Sequence, residues 1–542
     1  MTRKGKNMAK NTEVHTIEVS ARLLRHISRG IYRTPAGALK ELVSNAYDAG
    51  ADKVTINSGY PIFEKIVIKD NGSGMSKKVF IKIIKRIGLS DKVAGTEFRM
   101  PGSKGNRVMV GHYGIGLLAI GQLCKKVIIT SKTEKSTEGF EATIDFEQFE
   151  VKETEGIKRS RIKDEKSLEQ EDKTANDQKL PIGKCVIKNL KYDKKHQDEC
   201  FTKLDLMEVR DVVQKKLSGD RLKEYRDLSS EHKYSANLKD ILTLFRDKEE
   251  EIKRGQYPYE KLCWELATYC PLKYSDIKIC EGGQPLNFFK KLTEKHNFTL
   301  ILDGMEIYNP LESIFLDKKD SSWKDIFVWK EEEYSKGKKV SGYLIFKQKI
   351  RPKCMQGILV RVSGVAVGMH DLTYLEYPYH EATKLEQLTG ELFVEGLSGA
   401  MNIDRSSFNE TDDSYLDFVK WFHDKLHDKV FPRIKKEMRK KRKEDVIKLF
   451  DDLVVGFYHN LHKKYKISLI PMGKDVTLFH KQDKMLQINT KHPEGRIKKS
   501  TMEKLLLAAV LVANNLIEAE RMEQILSEIN KSKEGLKENA RD

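Results

Sequence analysis

The pattern of apolar and polar positions between residues 36 and 57 predicts a docked helix that runs into a strand. In ALKELVSNAYDAGADKVTI, apolar side chains recur at helical spacing, and Gly50 follows the last turn, where a capping glycine belongs. At about 100° per residue, Glu41, Asn45 and Asp48 fall within an arc of about 60° on another face. The helix is therefore expected to dock by one side while it carries two carboxylates and an amide in a row. The apolar stripe comprises Leu39, Leu42, Val43, Ala46 and Ala49.

The first 150 residues alternate helical and strand patterns, and the strands come in hairpin pairs. This alternation predicts an α/β sandwich rather than a doubly wound sheet. The predicted helices cover residues 19–30, 36–49, 76–87 and 114–123. The predicted strands are Lys53–Asn57, Lys65–Lys69, Val127–Ser131 and Phe140–Phe146.

Shifts in pattern and composition divide the chain into regions. The first region is an N-terminal domain over 14–200, which carries a charged insertion at 151–180. The regions that follow are a helical connector over 201–255, a middle α/β region over 256–450 and a small mixed C-terminal region over 451–542. The middle strands are predicted at Thr299–Leu302, Val340–Phe346 and Ile358–Val367, and a long helix over 412–450 is expected to break at Pro432. A strand-rich piece and a closing amphipathic helix from about residue 500 follow. The predicted class is α/β to α+β, with a mainly helical C-terminal part.

The charge, the cysteine content and the apolar runs of the chain indicate which partners and which cellular compartment it suits. Of 542 residues, 99 are Lys or Arg and 81 are Asp or Glu, which leaves a net charge of +18. Such an excess suits a polyanion partner, although the charge could equally coat an ordinary surface. The seven cysteines form no C-x-x-C pair, and the longest apolar run, Leu505 to Ala513, is about half a membrane span. We therefore expect a cytoplasmic protein without a membrane segment.

Three short motifs carry chemistry: the Glu41-Asn45-Asp48 helix, DNGSGM at 70–75 where a strand ends, and GHYGIG at 111–116 opening a helix. Glycines at a helix start let backbone N–H groups approach phosphate oxygens. An asparagine oxygen suits Mg²⁺, and a carboxylate four residues earlier can polarise water for attack on a γ-phosphate. An aspartate at the strand end can accept a hydrogen bond from an adenine amino group. No Walker A pattern is present, which disfavours a P-loop ATPase.

The three motifs together resemble those of the GHKL ATPase superfamily, which includes gyrase B, heat-shock protein 90 chaperones, histidine kinases and MutL. The resemblance covers about residues 14–190 and implies an ATPase domain that binds ATP and Mg²⁺. By this resemblance, Glu41 is the general base, Asn45 the Mg²⁺ ligand, Asp48 a supporting residue and Asp70 the adenine reader. The remaining implied pocket residues are Gly72, Gly74 and Met75 at the base and Gly111, Gly114 and Gly116 at the phosphates. A lid would span 87–110, with Lys104 and Arg107 as candidate phosphate contacts.

The fourth motif of the superfamily normally has Gly-Thr entering a strand. Its best match is IGKCVIKNL, where Gly183 is followed by Lys184 and Cys185 and the threonine is missing. Cys185 is therefore taken as the pocket residue from this strand. The strand EATIDF, which contains Thr143, remains the alternative.

The segment MNIDRSSFNE at 401–410 resembles the middle-domain loop of heat-shock protein 90 chaperones, in which an arginine reaches the γ-phosphate. The resemblance implies this role for Arg405, against the alternative of a surface salt bridge. A two-domain ATPase of this kind, as in MutL and microrchidia proteins, closes as a homodimer. Its dimerising strap would lie within 8–30.

Two functions remain open on the sequence. The main prediction is a chaperone-like clamp that remodels a protein client, which the Arg405 loop favours. The alternative is a clamp on duplex DNA in genome maintenance or defence against foreign DNA, which the basic charge favours. The stretch RIKKEMRKKRKED at 433–445 is either a solvated helix or a contact for phosphate backbones.

Overall fold

The computed structural model of the chain describes residues 12–20, 34–84, 116–146, 179–219, 237–274, 291, 298–315, 324–347, 349–379, 385–402, 405–440, 466–472, 478–482, 485–489 and 522. The chain forms two compact units, residues 1–423 and 424–542. The predicted lid over 87–110 lies outside the described residues, as do nearly all of the insertion at 151–180 and the closing helix from 500.

The described α-helices are α1 (Pro35–Asp48), α2 (Lys77–Ile84), α3 (Gly116–Leu123), α4 (Asp211–Ser218), α5 (Leu238–Asp247), α6 (Glu249–Lys253), α7 (Pro258–Tyr269) and α8 (Asp413–Lys425). A first sheet contains β1 (Thr12–Ser20), β2 (Lys53–Asn57), β3 (Lys65–Asp70), β4 (Cys124–Lys132), β5 (Glu138–Asp145), β6 (Lys179–Lys191), β7 (Phe201–Val209), β8 (Thr299–Leu302) and β9 (Met305–Ile307). A second sheet contains β10 (Lys324–Ser335), β11 (Lys338–Lys347), β12 (Gly357–Val362), β13 (Val365–Asp371) and β14 (Leu388–Val394). A third contains β15 (Lys466–Ile470), β16 (Phe479–Gln482) and β17 (Met485–Asn489).

The first sheet and the helices packed with it form the sandwich that the sequence predicts. The strand order is β1-β6-β5-β4-β7-β3-β2-β8-β9, and the described pairs are antiparallel except β2 with β8. Helix α1 packs against α3 and α7. The predicted strand Lys53–Asn57 is confirmed at both ends as β2.

Helix α1 forms because its ends are capped and one face is apolar. The Thr34 hydroxyl accepts a hydrogen bond from the Gly37 N–H at 3.1 Å, and Pro35 occupies the first turn. Gly50 follows the helix with φ of 76°. Leu39, Leu42, Val43 and Ala46 of the predicted stripe are buried, and burial of each leucine or valine contributes about 1.5–3 kcal/mol.

Strand β7 corrects the prediction that residues from 201 onward are a helical connector. It pairs antiparallel with β3 on one side and β4 on the other, in the middle of the sheet. Its side chains alternate, since Leu204 and Leu206 pack on the core while Asp205 lies between Lys65 and Lys203, at 2.9 and 2.8 Å. The period of two is present in FTKLDLMEV, but its charged residues Lys203, Asp205 and Glu208 made the segment resemble a solvated helix.

Strand β8 has the predicted bounds but belongs to the first sheet rather than to the middle region. It runs parallel to β2 and forms a hairpin with β9. At the hairpin turn, Asp303 accepts hydrogen bonds from the backbone N–H of Ser58 at 2.7 Å and from the Ser58 hydroxyl at 2.6 Å. This pairing joins segments about 245 residues apart, which local patterns do not reveal.

The second sheet has the order β10-β11-β14-β12-β13. The sequence predicted a single strand over 358–367, but a turn at Ser363 and Gly364, with φ of 51° and 83°, divides it into β12 and β13. Strands β10 and β14 were not predicted. Strand β14 is buried along nearly its whole length, so it shows no alternation of polar and apolar residues.

The long helix predicted from 412 does not break at Pro432. Helix α8 leads into a π-helical turn over Leu426–Val430, and the helix continues over 431–440. A proline lacks the N–H for the i→i−4 bond and its ring crowds the carbonyl four residues earlier. The wider π-helical turn immediately before Pro432 accommodates both effects.

In the C-terminal unit, the predicted strand-rich piece is the third sheet, with the order β15-β17-β16. Within the described residues of the whole chain, no helix is both long and apolar enough to cross a membrane.

Candidate active site

Helix α1 presents the three predicted polar side chains in two environments. Glu41 is 6% exposed and Asp48 is 8% exposed, whereas Asn45 is exposed to solvent. The carboxylates therefore face packed structure, and the amide is accessible to a ligand.

The DNGSG turn after β3 packs against the end of α1. The Ser73 N–H donates to the Ala49 carbonyl at 2.9 Å, and the Gly72 N–H donates to the Asp70 carboxylate at 2.9 Å. A side chain at Gly72 would meet the Ala49 carbonyl and the Asp70 carboxylate at 3.0 Å. The glycine thus brings Asp70 next to the helix that carries Glu41.

Asp70 is a buried carboxyl group at the end of β3. Burial raises the pKa of Asp70 to about 6, although backbone N–H groups of Gly72 and Thr202 oppose the rise. Half of this carboxyl group is ionised near pH 6, and above that pH it is a buried hydrogen-bond acceptor.

Gly74 and Met75, which follow in the chain, contact strands β4 and β7. Gly74 has φ of 65°, and a Cβ there would overlap the backbone oxygen of Lys132. The Met75 N–H donates to the Ser131 hydroxyl at 2.8 Å, and that hydroxyl lies 3.1 Å from the hydroxyl of Thr202. Residues 70–75, β4 and β7 therefore form one hydrogen-bonded wall.

Ser131 and Thr202 were missed by the sequence reasoning. Thr202 lies directly opposite Asp70 in the pairing of β3 with β7. It is a threonine at the start of a strand, as in the fourth motif, but Phe201 rather than a glycine precedes it. The signal was present in the sequence, but the assignment of 201–255 to a helical connector hid it.

Cys185, the predicted pocket residue of the fourth motif, lies elsewhere and that prediction is wrong. It is on β6, which β5, β4 and β7 separate from β3. It is fully buried opposite Ile144, and burial raises the pKa of its thiol to about 12. Thr143 is on β5, the neighbouring strand, and is also remote from β3.

Arg405 reaches helix α1 from the loop beside the second sheet. Its Nη2 lies 3.5 Å from the Glu41 Oε1, and both side chains are buried. The Arg405 carbonyl accepts a hydrogen bond from the Gly368 N–H at 3.0 Å, which ties the loop to β13. This contact joins residues 364 positions apart.

Lys40 makes a second link from α1 to β13. Its buried ammonium group donates to the Ala366 carbonyl at 3.0 Å and lies 5.1 Å from the centre of the Tyr269 ring. Adjacent residues of α1 thus contact the second sheet and its loop, and the position of Arg405 is coupled to that of Glu41.

The phosphate side of the predicted site is only partly described. Gly116 is the first residue of α3. Lys104, Arg107, Gly111 and Gly114 lie outside the described residues.

Comparison with known proteins agrees with this geometry. Residues 32–177 match the family described as histidine kinase-, DNA gyrase B- and HSP90-like ATPase. The chain contains a GHKL-type ATPase domain. The family description names an ATPase, so the match indicates an ATPase domain within residues 32–177.

Several curated proteins are similar to parts of the chain. The DNA mismatch repair protein MutL of Colwellia psychrerythraea is 26% identical over 211 residues, which are 39% of this chain and 30% of that protein. MutL of Shewanella woodyi is 26% identical over 228 residues, 42% of this chain and 35% of that protein. The putative type II restriction enzyme HgiDII of Herpetosiphon aurantiacus is 34% identical over 106 residues, 20% of this chain and 16% of that protein. The chain spans about a third or less of the length of these relatives.

These relatives are MutL proteins and a restriction enzyme rather than heat-shock chaperones. They support the superfamily predicted from the motifs. They do not support the predicted likeness of the middle region to heat-shock protein 90.

Proposed function

We propose that Glu41 is the general base for Mg²⁺-dependent hydrolysis of ATP and that Arg405 assists from the second sheet. The observation that carries this proposal is the 3.5 Å approach of Arg405 to Glu41 in a buried setting. Glu41 would accept a proton from the attacking water, and the guanidinium group would balance charge that develops on the γ-phosphate. A permanently charged arginine suits this task because it cannot lose its proton.

The described pocket fits an adenine nucleotide. Asp70 offers a buried acceptor for the adenine amino group, with Thr202 beside it, and Gly72, Gly74 and Met75 line the same wall. Asp48 would support the pocket from the end of α1.

The donor set also fits Mg²⁺ held mainly by substrate phosphates. Asn45 is exposed on the helix that carries Glu41, and its amide oxygen is a hard ligand. Within the described residues, no three His, Cys, Asp or Glu side chains cluster as a metal site, and Mg²⁺ typically takes few protein ligands and several waters. The ion would screen phosphate charge while Asn45 holds its position.

Substitution at Glu41 tests the catalytic proposal. Glu41→Gln keeps the shape of the side chain and removes the base, so hydrolysis should fall about 10²–10⁴-fold. Binding of a fluorescent ATP analogue should persist. Arg405→Met should also slow phosphate release, while Glu138→Gln, at an exposed position, should leave it unchanged. A Glu41→Gln protein as active as the wild type would refute the assignment of the base.

The biological role that we infer is a DNA-associated, ATP-gated homodimeric clamp. Several relatives are named DNA mismatch repair proteins and another is a putative restriction enzyme. They favour this alternative over the chaperone-like role that the Arg405 loop suggested, and the net charge of +18 is compatible with it.

Steady-state phosphate release, with and without duplex DNA, separates the two roles. Duplex that stimulates release and binds in a salt-dependent manner supports the DNA-associated role. If DNA does not change the rate of phosphate release, and if the chain suppresses aggregation of a client protein, the chaperone-like role would be favoured instead.

A further inference from the structure

We propose that one face of the helix over 431–440 is the surface that holds the phosphate backbone of duplex DNA. This inference rests on the DNA-associated function proposed above and assigns the contact surface. The face, named here the basic face, consists of Pro432, Lys435, Lys436, Arg439 and Lys440, which together line a cavity of about 520 Å³.

The helix has two distinct sides. Val430, Phe431 and Ile434 are buried, so one side of the helix is packed and its rotation is fixed. All five residues of the basic face are exposed. The charged groups are therefore presented together by a packed helix rather than by a free chain.

The charge of this face is unbalanced. Residues 431–440 contain five Lys or Arg residues and one acidic residue, Glu437. In the part of the chain that the structure describes, Lys436, Arg439 and Lys440 form no ion pair. A solvated helix of the usual kind would instead alternate acidic and basic residues at i,i+4.

The spacing of the basic residues opposes helix stability and favours an anionic partner. Lys436 with Lys440 is a like-charged pair at i,i+4, which destabilises a helix by about 0.2–0.5 kcal/mol. A bound polyanion relieves this repulsion. Four residues rise about 6 Å along a helix, which is close to two rises of about 3.4 Å per phosphate along the axis of duplex DNA. Lys436 and Lys440 are therefore spaced so that both can meet phosphates of one strand.

The contact should not depend on base sequence. Three of the four cations of the basic face are lysines, which act on phosphates as point charges, so most of the contact would be to the backbone. Binding would be driven by the release of counterions from the DNA phosphates. The basic face would therefore bind duplex DNA of any sequence.

The test is the salt dependence of duplex binding by the full chain. The variant Lys436→Gln/Arg439→Gln/Lys440→Gln is compared with Lys188→Gln/Lys194→Gln/Lys239→Gln, which removes the same charge from exposed positions in the other unit. Binding of a fluorescein-labelled 30-base-pair duplex of random sequence is measured by anisotropy from about 50 to 200 mM NaCl. Basal phosphate release without DNA reports whether each variant is folded.

The basic-face variant should bind the duplex more weakly than the wild type. The slope of log K against log salt should become shallower by up to about 2.7. Three charges are removed, and each phosphate that is no longer neutralised takes about 0.9 from the slope. The control variant should keep a slope close to the wild type. If the wild type binds duplex and the two variants have equal slopes, the assignment of the basic face as the DNA contact is wrong. The proposed DNA-associated function would not be affected by that result. No duplex binding by the wild type at 50 mM NaCl would reject both proposals. Displacement of the labelled duplex at a much lower concentration of polyglutamate than of unlabelled duplex, compared at equal charge, would assign the face to an acidic protein instead.

Discussion

At the scale of single residues, Asp70 combines the adenine-binding role proposed above with a cost to stability. Its folded-state pKa of about 6 lies above the ordinary 3.8. Its contribution to stability is therefore fully present below about pH 4 and is lost as the pH rises through 6. The shift corresponds to about 3 kcal/mol at neutral pH.

We therefore expect Asp70→Asn to bind ATP poorly and yet to be the more stable protein at pH 7–8. Chemical denaturation at several pH values should show the free energy of unfolding of the wild type falling relative to the variant between about pH 4 and 6, by up to about 3 kcal/mol. Asp198→Asn, at an exposed position, serves as the control. A parallel pH dependence in wild type and Asp70→Asn would show that Asp70 does not titrate in this window.

Gly74 gives a second prediction at the residue scale, because both its backbone conformation and its surroundings require glycine. Gly337 has a similar φ, 72° against 65°, but an added Cβ there meets nothing within 4 Å. Gly337→Ala should cost about 1–2 kcal/mol of unfolding free energy from the left-handed conformation alone. Gly74→Ala should lose about 1–3 kcal/mol more, because its Cβ overlaps the backbone of β4.

Thermal and urea unfolding of the two alanine variants measure this difference directly. ATP affinity should fall in Gly74→Ala and remain unchanged in Gly337→Ala, since only Gly74 lies in the pocket wall. Similar losses of stability in both would mean that the turn shifts to accept a side chain.

At the scale of elements, strand β7 determines which residues can complete the pocket. The sequence pattern predicted α1, β2 and the turn after β3 well, because each is a local signal: helical spacing, period-two alternation and a glycine-rich turn. It did not give Thr202 as a pocket candidate because FTKLDLMEV was treated as part of a connector. Only the pairing of β3 with β7 shows that Thr202, and not Cys185, lies beside Asp70.

At the scale of the whole first unit, a buried charge pair joins the second sheet to the helical layer. Arg361 on β12 pairs with Glu391 on β14 and donates to the Thr268 carbonyl at the end of α7 at 2.9 Å. Glu391 also accepts from Asn309 at 2.9 Å and from Tyr274 at 3.1 Å. Burial alone would raise the pKa of Glu391, but the Arg361 guanidinium outweighs burial and holds that pKa below its usual range.

Arg361→Met should therefore destabilise the chain by about 3–5 kcal/mol, since it leaves a buried carboxylate without its cation. This loss of unfolding free energy should be smaller below pH 4.5, the ordinary pKa of glutamate, because protonation of Glu391 removes the unpaired charge. Urea unfolding at pH 7 and at pH 4 measures both effects. Lys248→Met, which removes the cation of the exposed pair with Glu251, should change stability little, and an equal loss in the two variants would contradict the argument.

The amino-acid sequence by itself determined the ATPase motifs, the capped helix that carries Glu41 and the hairpins around it, because these depend on neighbours within a few turns of chain. The tertiary structure alone decided which distant segments meet. Arg405 approaches Glu41 across 364 positions, β8 joins β2, and Thr202 stands opposite Asp70. Such contacts follow from the packing of whole sheets and from the burial of charge that it imposes. A local pattern can point to a residue, as MNIDRSSFNE did for Arg405, but it does not determine which distant segments meet.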